Sequence, residues 1–212
     1  LACVAMLFAA VLGISIGLSL AMRGPSKLGD LVLSICALGM SAPSFVVAIL
    51  VAWLFGYILH SYTGLPMTGG MIVVDPFEGP RLALAHLILP AFTLGVRPLA
   101  VIIQLSRNSA LEVLAQPYIR TARAKGLSSS RILFKHVLRN SLNPVLTATS
   151  GWFASMLAGA VFVEFVFGWK GMGLLMFKAL EGGDLPVVMG CTIVVANGAV
   201  SVGVAEYRGL NV

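Results

Sequence analysis

Residues 120–144 read RTARAKGLSSSRILFKHVLRNSLNP, in a chain that is 58% hydrophobic and only 10% charged. Positive charge is concentrated around this stretch, because residues 107–140 carry seven Arg and Lys side chains against the single acid Glu112. Their net charge of +6 equals that of the whole 212-residue chain. Soluble domains carry about 25% charged residues, so this composition cannot cover a water-facing surface. A bundle of membrane-spanning helices is therefore predicted.

Five apolar segments surround the basic stretch, each long enough to cross the hydrocarbon core, which takes about 20 helical residues. They are residues 2–22, 31–59, 82–106, 141–163 and 185–205. Each must be helical because lipid offers the backbone no hydrogen-bond partners, and Pro43 is expected to kink the second. Small residues recur at four-residue spacing, at Gly13 and Gly17 and again at Gly151, Ser155 and Gly159, and such spacing lets helix backbones approach closely in lipid.

The charges of the connections predict their side of the membrane. Residues 23–30 and 107–140 are basic, whereas residues 60–81 are slightly acidic and residues 165–184 are neutral. Basic loops remain in the cytoplasm, and alternate loops share one side. Residues 107–140 are therefore predicted to be cytoplasmic. A cytoplasmic N-terminus then requires one more helix before Leu1, which makes six.

Residues 107–140 are predicted to form two helices joined by a corner. The first helix, residues 108–125, is expected to be interrupted or bent at Pro117 and to stop at Gly126, because glycine accepts left-handed geometry. Ser128 or Ser129 can cap the second helix. Its basic side chains recur every four positions and share one face: Arg131, Lys135 and Arg139. Another part of its surface is apolar: Ile132, Leu133, Val137 and Leu138.

Such a basic loop can simply bind anionic headgroups. Headgroup binding does not explain the small side chains of Thr121, Ala122 and Ala124 ahead of Gly126. Small side chains let another surface come close, and a glycine corner presents the helix end to that surface. A docking site for a soluble partner fits the pattern better.

RTARAKG and the helix after it resemble the cytoplasmic signature of membrane subunits of ABC importers, written Glu-Ala-Ala, three residues, then Gly. The signature positions fall on Arg120, Thr121, Ala122 and Gly126, and the Arg-Thr variant resembles the dipeptide, oligopeptide and nickel branch. LILPAFTLGVRPLA, VEFVFGWKGMG and GDLPVVMG are similar to three further stretches of that branch. Lys170 stands where the family usually has proline. AEYRGLNV replaces the family's closing Asp-Pro-Arg, so residues 206–212 are expected to be a divergent tail.

The resemblance implies an all-α, polytopic fold, the type I ABC importer transmembrane domain, over residues 1–205, with residues 107–140 as its cytoplasmic coupling loop. It implies a homologous second permease subunit, two cytoplasmic ATPase subunits and an extracytoplasmic binding protein, in a bacterial inner membrane. The chain has no Gly-x-x-x-x-Gly-Lys-Ser/Thr phosphate cradle and no catalytic constellation, so ATP and Mg are expected on the ATPase. The implied cargo is di- or oligopeptides or nickel. Another importer branch and a non-transporting membrane scaffold are the alternatives, and nucleic acid is not an expected partner.

Three sets of candidate site residues follow. The predicted ATPase-coupling interface comprises Arg120, Thr121, Ala122, Arg123, Ala124, Lys125, Gly126 and Ser128. The candidates for lining the translocation path are Arg97, whose charge is costly in mid-membrane, Gln104 and Asn143. The candidates for an outer gate or binding-protein contact are Glu164, Gly171, Gly173 and Asp184. For Glu164 the alternative is a hydrogen bond to backbone amides of the glycine-rich loop that follows. No metal site is expected, because His60 and His86 lack a third ligand.

Overall fold

The computed structural model describes residues 1–75 and 79–210, which are mostly helical. Their elements in chain order are α1 (Ala2–Arg23), α2 (Lys27–Ser41), α3 (Ser44–Val51), a π-helical segment π1 (Ala52–Ile58), α4 (His60–Thr63), β1 (Ile72–Asp75), β2 (Gly79–Leu82), α5 (Ala85–Leu114), α6 (Pro117–Ala124), α7 (Ser129–Ile132), a second π-helical segment π2 (Leu133–Val137), α8 (Leu138–Phe167), α9 (Met172–Glu181) and α10 (Leu185–Leu210). The predicted helical fold class is confirmed.

Helices occupy all five predicted spanning segments. Among the described residues, α1 and α5 are each long and apolar enough to cross a membrane alone. Two bent pairs raise the number of spans to as many as four. Residues 141–163 lie within α8, which has 30 residues, and residues 185–205 lie within α10, which has 26.

The predicted interruption of the second span at Pro43 is confirmed, because α2 ends at Ser41 and α3 begins at Ser44. Pro43 itself is extended, with φ −61° and ψ 135°, because proline lacks the N–H that an interior helical residue donates. Residues 31–59 therefore form two successive helices rather than one kinked helix.

Two elements in the connections were not predicted. β1 and β2 form an antiparallel hairpin in which Ile72 pairs with Leu82 and Val73 with Arg81. The hairpin adds a small sheet to a fold that was expected to be all-α; residues 76–78, including Glu78, lie outside the described part. The loop after α8, predicted only as a connection, contains α9.

The predicted organisation of residues 107–140 is largely confirmed. α5 stops at Leu114, α6 begins with Pro117 at its first position, and Gly126 has a left-handed φ of +76°. Ser128 precedes α7 in extended geometry, but its side chain makes no capping hydrogen bond. From Ser129 onward α7, π2 and α8 are continuous to Phe167, so the second loop helix is the start of the next long helix.

Two compact units divide the described chain. One comprises Leu1–Ala5, Ala42–Val96 and the residues from Gly151 on, and the other comprises Met6–Ser41 and Arg97–Ser150. The predicted tail, residues 206–212, continues the α10 backbone to Leu210, and residues 211–212 lie outside the described part.

The second unit confirms close packing at the glycine pair of α1. A Cβ added to Gly17 would lie 2.6 Å from the carbonyl oxygen of Ile103, and one at Gly13 would lie 2.6 Å from Ile102 Cγ2. Leu18, directly after Gly17, and Ala21, one turn beyond Gly17, belong to a buried cluster, here called the loop core. Its other members come from α5 and from the loop: Ala110, Ile119, Ala122, Ile132 and Val137.

Candidate functional site

The loop core fixes one face of α6. Ile119 is completely buried and Ala122 is 6% exposed, and both pack with α1 and α5 residues. Residues three apart share a helix face, so these two side chains define the inward side of α6. Ala122, assigned by sequence to the docking interface, lies on that inward side. Its methyl group packs within this chain, so any part in docking acts through the position of α6.

The other predicted interface residues are exposed, and we call them the α6 surface: Arg120, Thr121, Arg123, Ala124, Lys125, Gly126 and Ser128. The end of α6 closes tightly, because the Lys125 N–H donates to Thr121 O at 3.0 Å and the Gly126 N–H donates to Arg123 O at 2.9 Å. A Cβ at Gly126 would meet nothing within 4 Å. The α6 surface is thus a cationic corner with open space at its apex.

The helix after the corner also has the predicted faces. Its basic residues are all exposed: Arg131, Lys135 and Arg139. Ile132 is 2% exposed and Val137 is completely buried in the loop core. The charged face therefore remains open to headgroups or to a partner, while the apolar face anchors the loop.

Cysteine labelling tests the predicted side of this corner. In a variant without Cys3, Cys36 and Cys191, Ser128→Cys is expected to react with a membrane-impermeant maleimide in inside-out vesicles and not in intact cells. Ser61→Cys, also exposed, serves as the matched control and should show the reverse. Labelling of Ser128→Cys from outside only would contradict the topology.

Sequence reasoning missed one polar contact of the loop. Asn140 Nδ2 donates to the Tyr118 hydroxyl at 3.0 Å, which joins α6 to the first turn of α8. The two partners are 22 positions apart in the sequence, so no local pattern predicts this bond.

The path candidates differ in their surroundings. Arg97 and Gln104 are two turns apart in α5 and so lie on one face, with Arg97 exposed and Gln104 half-buried. The Gln104 amide donates to Met40 Sδ at 3.6 Å. Asn143 is exposed in α8. Their role in a path stays a prediction.

Three of the four gate candidates come together where α8 meets α9. Glu164 is only 7% exposed, and its Oε2 accepts the N–H of Leu174 at 3.0 Å. A Cβ at Gly171 would overlap the Glu164 carboxylate, and one at Gly173 would lie 2.6 Å from Val161 Cα. Leu174 lies in the first turn of α9, directly after the glycine-rich loop, so the backbone hydrogen bond expected as the alternative for Glu164 goes to a helix amide. The role of Glu164 in a gate stays a prediction.

The Glu164 carboxylate contacts a right-angle turn of the chain. Ala160–Phe167 and Met172–Glu181 meet at 85°, and the Trp169 N–H closes the turn by donating to Glu164 O at 2.8 Å. Asp184, the fourth candidate, is exposed and separate from this turn. Its Oδ1 accepts the N–H of Val187 at 3.2 Å, which caps the first turn of α10.

The two histidines near β1 and β2 have separate surroundings. His60 Nδ1 lies 2.8 Å from Leu65 O, and the His86 ring packs directly against Gly69. Among the described residues, no group of three or more His, Cys, Asp or Glu side chains is placed to hold a metal ion.

Comparison with known proteins gives concordant matches. The family model described as "Binding-protein-dependent transport system inner membrane component" matches residues 13–205. The dipeptide transport system permease protein DppB of Escherichia coli K12 is 36% identical over 91% of this chain and 62% of its own length. The di/tripeptide permease protein DppB of Pseudomonas aeruginosa is 39% identical over 91% of this chain and 61% of its own. The chain therefore spans about three-fifths of these curated relatives.

A solved structure matches the fold. The MetNI methionine ABC transporter, in inward-facing conformations, has a TM-score of 0.78 over 99% of this chain and 89% of its own. At 18% sequence identity this likeness concerns the fold alone, and it agrees with the predicted importer transmembrane fold.

Proposed function

Because the chain belongs to the family of binding-protein-dependent transport system inner membrane components, we propose that it acts as the permease subunit of an ATP-driven importer of di- and oligopeptides. It forms half of a translocation path in the bacterial inner membrane. Its partners are a homologous second permease subunit, two cytoplasmic ATPase subunits that bind ATP and Mg, and an extracytoplasmic binding protein. The peptide cargo rests on the relatives named as dipeptide and di/tripeptide permeases.

The observation that carries this proposal is the α6 surface, an exposed cationic corner backed by a fully packed core. A coupling element must be accessible to its partner and stiff towards its own chain. Gly126 and its neighbours supply the accessibility, and burial of Ile119 and Val137 supplies the stiffness. The uninterrupted helix from Ser129 to Phe167 gives the corner a direct mechanical link to a long helix.

A charge placed at the apex of the corner tests the docking step. In the full-length protein, Gly126→Asp is expected to lower both co-purification of the ATPase subunit and dipeptide uptake by about tenfold or more. An unpaired carboxylate buried in an interface costs at least ~1.4 kcal/mol. Membrane insertion should remain, because no atom lies within 4 Å of the new Cβ.

Gly24→Asp is the matched control. Gly24 has a φ of +75° and nothing within 4 Å of an added Cβ, almost the same geometry as the +76° of Gly126. Both variants therefore carry the same backbone strain and the same new charge, and only the Gly126 variant should lose the ATPase. Unchanged co-purification and uptake in Gly126→Asp would favour the membrane scaffold. Nickel uptake without peptide uptake by the unmodified protein would overturn the peptide cargo.

A further inference from the structure

Packing against the loop core holds α6 to its own chain, but it resists rotation of α6 about its axis less strongly than it resists separation. The buried side chains, Ile119 and Ala122, are aliphatic and packed among other aliphatic groups. Apolar contact is non-directional, so an eight-residue helix held on one side can turn about its own axis when it is pushed. A polar bond, whose strength depends on distance and angle, resists such a turn.

Tyr118 supplies a bond of this kind on the solvent side of α6. It is 42% exposed, one residue before the buried Ile119, and its hydroxyl accepts the Asn140 amide N–H at 3.0 Å. Its ring also lies against His136, with ring centroids 6.4 Å apart. Asn140 and His136 belong to the continuous π2–α8 helix, so both contacts join α6 to that one helix.

We propose that the Tyr118–Asn140 pair is the tie that fixes the rotation of α6 and converts a push on the α6 surface into movement of α8. Tyr118 and Asn140 are positioning residues here, since they act through α6 rather than on the cargo. The inference rests on the proposed function. It assigns docking to the α6 surface and transmission to this pair, so the two steps are separable.

The test measures transmission apart from docking. In the complete importer, reconstituted in vesicles with its ATPase subunits and binding protein, Tyr118→Phe and Asn140→Leu each remove the hydrogen bond and retain side-chain bulk. Both are expected to retain ATPase co-purification and basal ATP hydrolysis. Dipeptide imported per ATP hydrolysed should fall about fivefold, the ratio that loss of one typical hydrogen bond produces. Asn140→Asp, whose carboxylate can accept from the Tyr118 hydroxyl, should restore the ratio.

Tyr57→Phe removes a hydroxyl from another exposed tyrosine, 71% exposed in π1, and should leave the ratio unchanged. A ratio unchanged in Tyr118→Phe and Asn140→Leu overturns the proposed tie. So does loss of ATPase co-purification in these variants, because the pair then belongs to docking. Failure of the proposed function gives a different result: the unmodified protein itself binds no ATPase subunit, which overturns both.

Discussion

Replacing Gly17 by valine is expected to destabilise the protein by about 3 kcal/mol, the upper end of the usual cost of overpacking. A Cβ at this position would lie 2.6 Å from Ile103 O and 3.0 Å from Arg107 N. These are backbone atoms of α5, so no side chain can turn away to make room. Moving α5 instead disturbs its helical hydrogen bonds, which lipid cannot replace.

Gly151→Val is the matched control for this variant. Gly151 is also a glycine in a long apolar helix, but nothing lies within 4 Å of a Cβ added there. Thermal unfolding in detergent, followed by loss of the monodisperse protein, should separate the two. Gly17→Ala should fall between Gly17→Val and the unmodified protein. Equal stabilities for Gly17→Val and Gly151→Val would show that α1 and α5 do not pack as described.

The Gly17 contact also matters for the proposed coupling. Leu18, next to Gly17 in α1, and Ala21, one turn further on, are part of the loop core that contains Ile119 and Val137. If α1 moves away from α5, Leu18 and Ala21 no longer pack against Ile119 of α6. A small substitution at Gly17, such as Gly17→Ala, is therefore expected to weaken the packing of α6 before it unfolds the whole protein.

Local sequence patterns were sufficient for the parts of the fold that local chemistry determines. Apolar run length located the long helices, since each must satisfy its own backbone in lipid. Gly126 marked the end of α6 because its left-handed φ of +76° suits glycine above other residues. The four-residue spacing of Arg131, Lys135 and Arg139 identified the exposed face. The spacing of Gly13 and Gly17 predicted the close approach of α5 to α1, whereas the same spacing from Gly151 gave no such contact there, since nothing lies within 4 Å of a Cβ added to Gly151.

The sequence did not reveal features that depend on distant partners. The inward orientation of Ala122 follows from Ile119 three residues earlier, a pattern that was available but is equally compatible with a small-residue docking face. Pro43 predicted that the helix is interrupted, but a single proline does not indicate the angle between the helices on its two sides. The Tyr118–Asn140 hydrogen bond and α9 depend on tertiary contacts that the periodicity of the sequence does not indicate.

Glu164 lies against two other gate candidates, Gly171 and Gly173, so replacing its side chain is expected to disturb all three. In Glu164→Leu the Leu174 N–H loses its carboxylate partner at 3.0 Å and is left in a half-buried site. An unsatisfied donor costs about 1–3 kcal/mol when it is fully buried, so a half-buried one lies at the low end of that range. The apolar side chain also faces Gly171 and Gly173, which leave room for a planar carboxylate and not for a branched group. We expect a loss of stability of about 2–3 kcal/mol and release of α9 from the end of α8.

Two further variants separate the hydrogen bond from the charge and from general damage. Glu164→Gln keeps an oxygen that accepts the Leu174 N–H, so its stability should remain within about 1 kcal/mol of the unmodified protein. Glu181→Leu makes the same change at an exposed glutamate of α9 and should have little effect. Glu164→Leu as stable as Glu181→Leu would refute the proposed role of the carboxylate.

Dipeptide uptake by Glu164→Leu distinguishes a gating role of this residue from a purely structural one. The α8–α9 turn and the α6 surface lie in different compact units, so Glu164→Leu should retain ATPase co-purification while dipeptide uptake falls. Gly126→Asp is expected to lose both. If the Glu164 carboxylate only stabilises the fold, a second, stabilising substitution elsewhere should restore both stability and dipeptide uptake. If α9 must be held at 85° for passage of the cargo, uptake stays low after stability has been restored, because the angle and not the folded fraction is then limiting.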